Sequence, residues 1–275
     1  MYTAPIQPDK LTTVRIVRKK AKAERIVCLT AYDYPSALIL DQAGVDLILV
    51  GDSAANVIYG MPTTLTIGMD EMVYHTRAVT AGVKRALVVS DMPFLSYQVS
   101  IEEAVANAGR LLKAGAEAVK VEGAGPVVPA IKRLVELGIP VMGHLGLTPQ
   151  SVHRLGGYRL QARKAVDQER LLADARALEE AGCFAIVLEK IPAEVAGRVT
   201  KELRIPTIGI GAGPNCDGQV LVLHDMLGMF DTPPLKFVKQ YAQLAGEIRK
   251  AVAAYAEDIR SGKFPGEEHT FHIEK

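Results

Sequence analysis

Residues 41–52 read DQAGVDLILVGD, and this stretch decides the fold. A helical segment ends, Gly44 turns the chain, and the apolar run Leu47 to Val50 follows. Glycine suits the position just past a helix because, lacking a Cβ, it enters the left-handed conformation without a clash. The run is apolar without alternation, so both faces of the strand must be covered, as in a parallel sheet. Outward from it the same unit recurs: TAGVKRALVVSD at 80–91, KAGAEAVKVEG at 113–123, ELGIPVMGH at 136–144 and EAGCFAIVLE at 180–189.

The segments between read as helices. Ser100 followed by Glu103 has the capping-box form, and Ile101, Val105, Ala108 and Leu112 fall on one helical face. Leu171, Ala175 and Leu178 do the same before Gly182, and Val128, Ile131 and Val135 before Gly138. The strands expected are Arg25–Thr30, Val45–Val50, Ala86–Ser90, Ala118–Val121, Pro140–Gly143, Phe184–Leu188, Pro206–Ile210 and Val220–Leu223. Strands alternating with helices at this spacing point to an α/β fold, a (β/α)₈ TIM barrel. A doubly wound open sheet shares the alternation, since sequence does not prove closure.

The chain has 275 residues, enough for one large domain or two small ones. The repeat assigns residues 25–234 to the barrel. A lead-in with a short helix occupies 1–24, a long C-terminal helix 235–261, and a polar tail 262–275. That helix carries Tyr241, Leu244, Ile248, Val252 and Tyr255 on one face, to pack on the barrel or on a neighbouring subunit. With 49% hydrophobic and 23% charged residues the chain can bury a sizeable core. Its formal charge of +1 and the absence of Trp give no reason to expect nucleic acid. No signal peptide and no membrane span is read. Cys28, Cys183 and Cys216 are widely spaced with no CxxC, as in a reducing compartment, so a cytoplasmic location is expected.

In both parallel architectures the site lies at the carboxyl ends of the strands. There the sequence delivers Asp33, Asp52-Ser53, Asp91, Lys120 with Glu122, His144, Glu189, the run GIGAG at 209–213, and His224-Asp225. A lone Asp after a strand is often a helix N-cap, and Asp33 and Asp225 read that way. Asp52, Asp91 and Glu122 come from adjacent strands, and capping does not require such clustering. Converging carboxylates repel unless neutralised, and an all-oxygen set favours Mg²⁺. Lys120 and Glu122 are two apart and share a face. A Lys inside a barrel needs a carboxylate partner or a bound anion. Glu189 follows an apolar run, as suits a general base. His144 fits either a substrate-orienting residue or a satisfied core histidine. GIGAG fits an anion cradle or a tight turn. HExxH, GxSxG and Walker A are absent.

At these residues the chain resembles the ketopantoate hydroxymethyltransferase family. The matching segments run in order along nearly the whole chain: LTAYDYPSA at 29–37, VGDS at 50–53, YHTRAV at 74–79 and SDMPF at 90–94. VKVEG at 119–123, GHLGLTPQS at 143–151, GGY at 156–158, VLE at 187–189, IGIGAG at 208–213 and DGQVLVLHDMLG at 217–228 follow. The resemblance implies a (β/α)₈ barrel that uses Mg²⁺, with 5,10-methylenetetrahydrofolate as co-substrate. It implies hydroxymethyl transfer to 3-methyl-2-oxobutanoate, giving ketopantoate in pantothenate biosynthesis. Asp52, Asp91 and Glu122 match its metal carboxylates, and Ser53 and Lys120 its substrate-carboxylate residues. Glu189 matches its proton acceptor, and His144 a residue near the substrate. The family forms homo-oligomers, often decamers, so assembly is implied as well. Residues 54–68 depart from the family pattern: Ala54-Ala55-Asn56 and Thr63 to Gly68 stand where Leu-Gly-Met and a Leu-Pro-Val-Thr stretch are common. Two competing readings are a Mg²⁺-dependent oxo-acid lyase or mutase, against which the KKCGH-type loop is missing, and a catalytically silent barrel scaffold.

Overall fold

The computed structural model describes residues 9–274. The first eight residues of the lead-in lie outside the described residues, as does the last residue of the tail. Two compact units divide the chain after Val222.

In the first unit, eight parallel strands close into a barrel in the order β1 to β8, with β8 pairing back to β1. Closure settles what the alternation left open. The strands are β1 (Ile26–Thr30), β2 (Leu47–Val50), β3 (Leu87–Asp91), β4 (Ala118–Glu122), β5 (Val141–Gly146), β6 (Ala185–Glu189), β7 (Thr207–Ile210) and β8 (Gly218–Leu221). Helices α1 (Thr13–Ala21), α2 (Tyr34–Gln42), α3 (Ala54–Val57), α4 (Met69–Gly82), α5 (Ile101–Lys113), α6 (Val128–Glu136), α7 (Val152–Leu155), α8 (Ala165–Glu180) and α9 (Ala193–Glu202) intervene. No helix separates β7 from β8, which corrects the strict alternation. β8 also starts two residues earlier than its apolar run, because Gly218 permits backbone contact: a Cβ there would meet the Ile26 carbonyl oxygen at 2.5 Å.

The barrel interior follows from period-two alternation. Ile26 and Cys28, Leu47 and Leu49, Leu87 and Val89, Ala185 and Val187, with Met142, Ile208 and Val220, form one buried core. Leu11 and Ile16 of the lead-in join that core. Continuing each row by two residues reaches the carboxyl-end rim: Val89 leads to Asp91, Ala118 to Lys120 and Glu122, Met142 to His144, and Val187 to Glu189.

Glycine works in two ways here. Gly44, Gly115, Gly138 and Gly182 have positive φ, the left-handed stop read from the sequence. Gly82 does not: it ends α4 within the helix, where a Cβ would sit 2.8 Å from the Tyr34 carbonyl oxygen. It serves the close approach of α2 and α4. Ser100 caps α5 by accepting the Glu103 N–H at 3.1 Å. The buried face of α5 is Ala104, Ala108 and Leu111, rotated from the expected stripe, and Ile101 is exposed.

The second unit holds α10 (Leu223–Met226) and α11 (Leu244–Arg260). The helix expected from 235 thus begins at Leu244, and Tyr241 precedes it. The amides of Tyr241, Leu244 and Ala245 donate to the carbonyls of Met226, Leu227 and Gly228, which ties the start of α11 to the segment after α10. Asp225 lies inside α10 and is no N-cap. No helix among the described residues is long and apolar enough to cross a membrane.

Candidate active site

Asp91, Lys120, Glu122, His144 and Glu189 converge at the carboxyl-end rim because they occupy the polar layer directly above the apolar rows. Pairing sets their neighbours: Asp91 lies beside Lys120, and Glu122 beside His144. Asp52 and Ser53 enter from the turn after β2. Asp33 stands apart from this set: it caps α2, accepting the Ser36 N–H at 2.8 Å.

The Lys120 Nζ is 3.2 Å from Asp91 Oδ1 and 3.7 Å from Glu122 Oε1. His144 bridges two acids, with Nδ1 3.3 Å from Glu122 Oε1 and Nε2 3.2 Å from Glu189 Oε2. Its Nδ1 also lies 3.1 Å from Lys120 Nζ, and its buried Nε2 makes no hydrogen bond among the described residues despite the Glu189 neighbour. Burial and the nearby Lys120 charge push His144 down, yet Glu122 and Glu189 outweigh both and raise it to about 9. Burial likewise opposes charge on Lys120, but Asp91, Glu122 and Asp52 hold it above its ordinary value. Asp52 is pushed well up by burial, then by Asp91 and Glu122. Asp91 is also raised, burial outweighing its Lys120 neighbour. Burial works against Glu122 too, but the hydrogen bond and charge of His144, with Lys120, bring it below the ordinary range.

Each of the clustered carboxylates has one oxygen fixed by a hydrogen-bond donor, and the second oxygens of Asp91 and Glu122 face Lys120 and His144. Asp91 Oδ2 accepts the Asp52 N–H at 3.0 Å. Asp52 Oδ2 accepts from Gln150 Nε2 at 2.9 Å, and Glu122 Oε2 from the Gln150 N–H at 3.0 Å. Asp91 Oδ1 and Glu122 Oε1 are buried and make no hydrogen bond among the described residues, despite their ion-pair neighbours. Asp52, Asp91, Glu122 and Glu189 thus share the rim with Lys120 and His144, and the upward push on Asp52 and Asp91 registers the crowding of acids that a divalent cation would relieve. Their oxygens form a hard donor set. Among the described residues no three or more His, Cys, Asp or Glu side chains are grouped to hold a metal ion. Mg²⁺ takes one or two carboxylates, with water or substrate oxygens at its other positions.

Ser53 Oγ lies 2.8 Å from the Tyr32 hydroxyl. The Tyr32 carbonyl in turn meets His75 Nδ1 at 2.7 Å, and His75 Nε2 meets the Tyr59 hydroxyl at 2.9 Å. Tyr59 belongs to the atypical segment 54–68, which is thereby tied to Ser53. In GIGAG, Gly213 has positive φ and would bring a Cβ 2.4 Å from Ala193 Cβ, which supports the tight-turn reading.

Gln150, Tyr97 and Tyr32 are the site residues that sequence reasoning did not single out. Gln150 lies in the longest matching segment, GHLGLTPQS, but its amide carries no charge to draw attention. Tyr97 precedes a helix cap in a stretch without a motif.

A family model described as ketopantoate hydroxymethyltransferase matches residues 10–267. The 3-methyl-2-oxobutanoate hydroxymethyltransferase of Moorella thermoacetica is 55% identical over 266 residues, covering 96% of this chain and 99% of its own. The protein of that name from Geotalea uraniireducens is 56% identical over 262 residues, covering 95% and 98%. Among solved structures, phosphonopyruvate hydrolase superposes with a TM-score of 0.62 at 13% identity, covering 96% of this chain and 92% of that one. A 2,3-dimethylmalate lyase of the PEP mutase/isocitrate lyase superfamily gives 0.60 at 17% identity, covering 94% and 89%. At such identities the structural likeness carries the barrel and no activity.

Proposed function

The chain belongs to the ketopantoate hydroxymethyltransferase family, and from that premise we propose that it transfers a hydroxymethyl group from 5,10-methylenetetrahydrofolate to 3-methyl-2-oxobutanoate. The product is 2-dehydropantoate (ketopantoate), and the step belongs to pantothenate and coenzyme A biosynthesis. The observation that carries the reading is the rim itself: buried carboxylates grouped around a Lys, and a Glu 3.2 Å from a buried His.

Asp52 and Asp91, with Glu122 behind them, would hold Mg²⁺ through their carboxylate oxygens. When bound, that ion supplies Lewis-acid polarisation of the 2-oxo group and stabilises negative charge on its oxygen. Lys120 and the Ser53 hydroxyl bind the substrate carboxylate. Lys120 is suited to this because its charge is already held in place by Asp91 and Glu122. The Tyr32 hydroxyl, 2.8 Å from Ser53 Oγ, holds the Ser53 hydroxyl in place. Glu189 takes the proton from C3. His144, 3.2 Å from Glu189 Oε2, orients that carboxylate. Water releases the one-carbon unit from the folate at the oxidation level of formaldehyde, both C–N bonds breaking and tetrahydrofolate leaving. The enolate attacks that carbon, the new carbon–carbon bond forms, and the resulting alkoxide takes up a proton to become the hydroxyl.

Hydrogen exchange isolates the proton-transfer step. With Mg²⁺ and 3-methyl-2-oxobutanoate in D₂O, without folate, the C3 proton signal should disappear in the NMR spectrum. Glu189→Gln should slow the exchange about 10²–10⁴-fold. Exchange at the wild-type rate removes Glu189 from the role of base.

A further inference from the structure

We propose that Gln150 is the positioning residue of the carboxylate set, engaging one oxygen of Asp52 so that the other is left for the cation, and one oxygen of Glu122 so that the other stays with Lys120 and His144. The assignment rests on the metal-dependent reading above.

Gln150 is buried in the turn Pro149–Ser151 that follows β5. Its Nε2 donates to Asp52 Oδ2 at 2.9 Å and to the Met92 carbonyl at 3.0 Å. Its backbone N–H donates to Glu122 Oε2 at 3.0 Å. Its Oε1 accepts from the Tyr97 hydroxyl at 2.7 Å and from Gln98 Nε2 at 3.3 Å. Tyr97 then accepts the Glu122 N–H at 3.1 Å. The network permits one amide orientation. A flipped amide would set Oε1 against a carboxylate and a carbonyl, acceptor against acceptor, and its NH₂ against the Tyr97 and Gln98 donors. One residue thus contacts two of the three clustered carboxylates: it takes Oδ2 of Asp52 and Oε2 of Glu122, and Glu122 Oε1 is the oxygen beside Lys120 and His144. A residue serving only to stabilise the turn would not need to divide the oxygens in this way. A glutamine suits the task, because a carboxylate at this position could not donate to Asp52.

The test measures Mg²⁺ binding by isothermal titration calorimetry on the full chain, with thermal melting in parallel. Gln150→Leu should weaken Mg²⁺ binding about 10–100-fold, the usual cost of losing a residue that orients metal ligands. Tyr97→Phe deletes one oxygen and leaves the shape intact. It should weaken binding about tenfold, toward the lower end of that range, because Gln98 still holds the amide. A merely structural role predicts a lower melting temperature with unchanged Mg²⁺ affinity in the folded variant, and that result overturns the proposal. Should Gln150→Leu fail to fold, unchanged affinity in Tyr97→Phe overturns it equally. Wild-type protein that binds no Mg²⁺ overturns the metal-dependent reading itself, and this proposal with it.

Discussion

The two ends of the barrel carry the same residue types in opposite states. At the amino end, Asp46, Glu117 and Asp217 each stand just before a strand and accept a backbone N–H from the neighbouring strand: Val27 at 3.0 Å, Val88 at 3.1 Å and Thr207 at 2.8 Å. Each also meets a lysine of the lead-in: Lys19 at 3.2 Å, Lys10 at 2.6 Å and Lys20 at 3.0 Å, respectively. Asp41 similarly accepts the backbone N–H groups of Lys84, Arg85 and Ala86. At the carboxyl end, Asp52, Asp91 and Glu122 crowd together, and Asp91 and Glu122 each keep an oxygen that makes no hydrogen bond among the described residues. Satisfied acids stitch strands to one another and to α1; unsatisfied acids keep capacity for a ligand. The difference matches the general division of such barrels, with stability at the amino face and chemistry at the carboxyl face.

Substitution at each end can break this contrast. The largest effect is expected from Asp46→Ala. It removes a buried acid from Lys19, Arg85 and the Val27 amide, and should cost about 3–5 kcal/mol of unfolding free energy in urea titration. The carboxyl-end chemistry should persist in the folded fraction. A loss below about 1 kcal/mol would erase the distinction between the ends.

Asp52→Asn should do the reverse. Folding raises the Asp52 pKa, so its charged form is penalised in the native state. That penalty is absent below the ordinary carboxylate range, where the group is protonated in both states, and grows as pH rises above it. In metal-free buffer near pH 8 the variant should therefore gain about 1–2 kcal/mol. The gain should shrink as pH falls toward about 4, the ordinary range. Mg²⁺ binding should be lost. Destabilisation at pH 8 together with retained Mg²⁺ affinity would place Asp52 with the structural acids.

The smallest effect is expected from Lys20→Met. Asp217 keeps the Thr207 N–H, so the loss should be about 1 kcal/mol, read from the same urea titration. Catalysis should be unchanged, since α1 lies at the other end. A selective fall in catalytic rate would show that the two ends are coupled.

Much of the site was legible because alternation is a local rule. Once Ala118 is placed inward, Lys120 and Glu122 must follow, and the same count delivers Asp91, His144 and Glu189. Asp33 was legible as a cap for a similar reason, since Ser36 is three residues away. Less legible were the ends of elements: β8 begins at a glycine and a polar residue, and α11 starts at Leu244, where the amides of Leu244 and Ala245 meet the carbonyls of Leu227 and Gly228. Such outcomes depend on partners that the local pattern does not contain.

The sequence by itself determined the strands, the inward rows and the ionisable groups of the rim, because side-chain direction along a strand repeats every two residues. Tertiary structure alone decided that the sheet closes, that Gln150 and Tyr97 reach Asp52 and Glu122, and which acids are satisfied. Hydrogen-bond satisfaction is a property of pairs, and these pairs join residues far apart in the chain: Gln150 and Asp52 are separated by 98 positions. Residue type announced the acids at both ends of the barrel alike; only the fold determined which of them keep an oxygen unsatisfied.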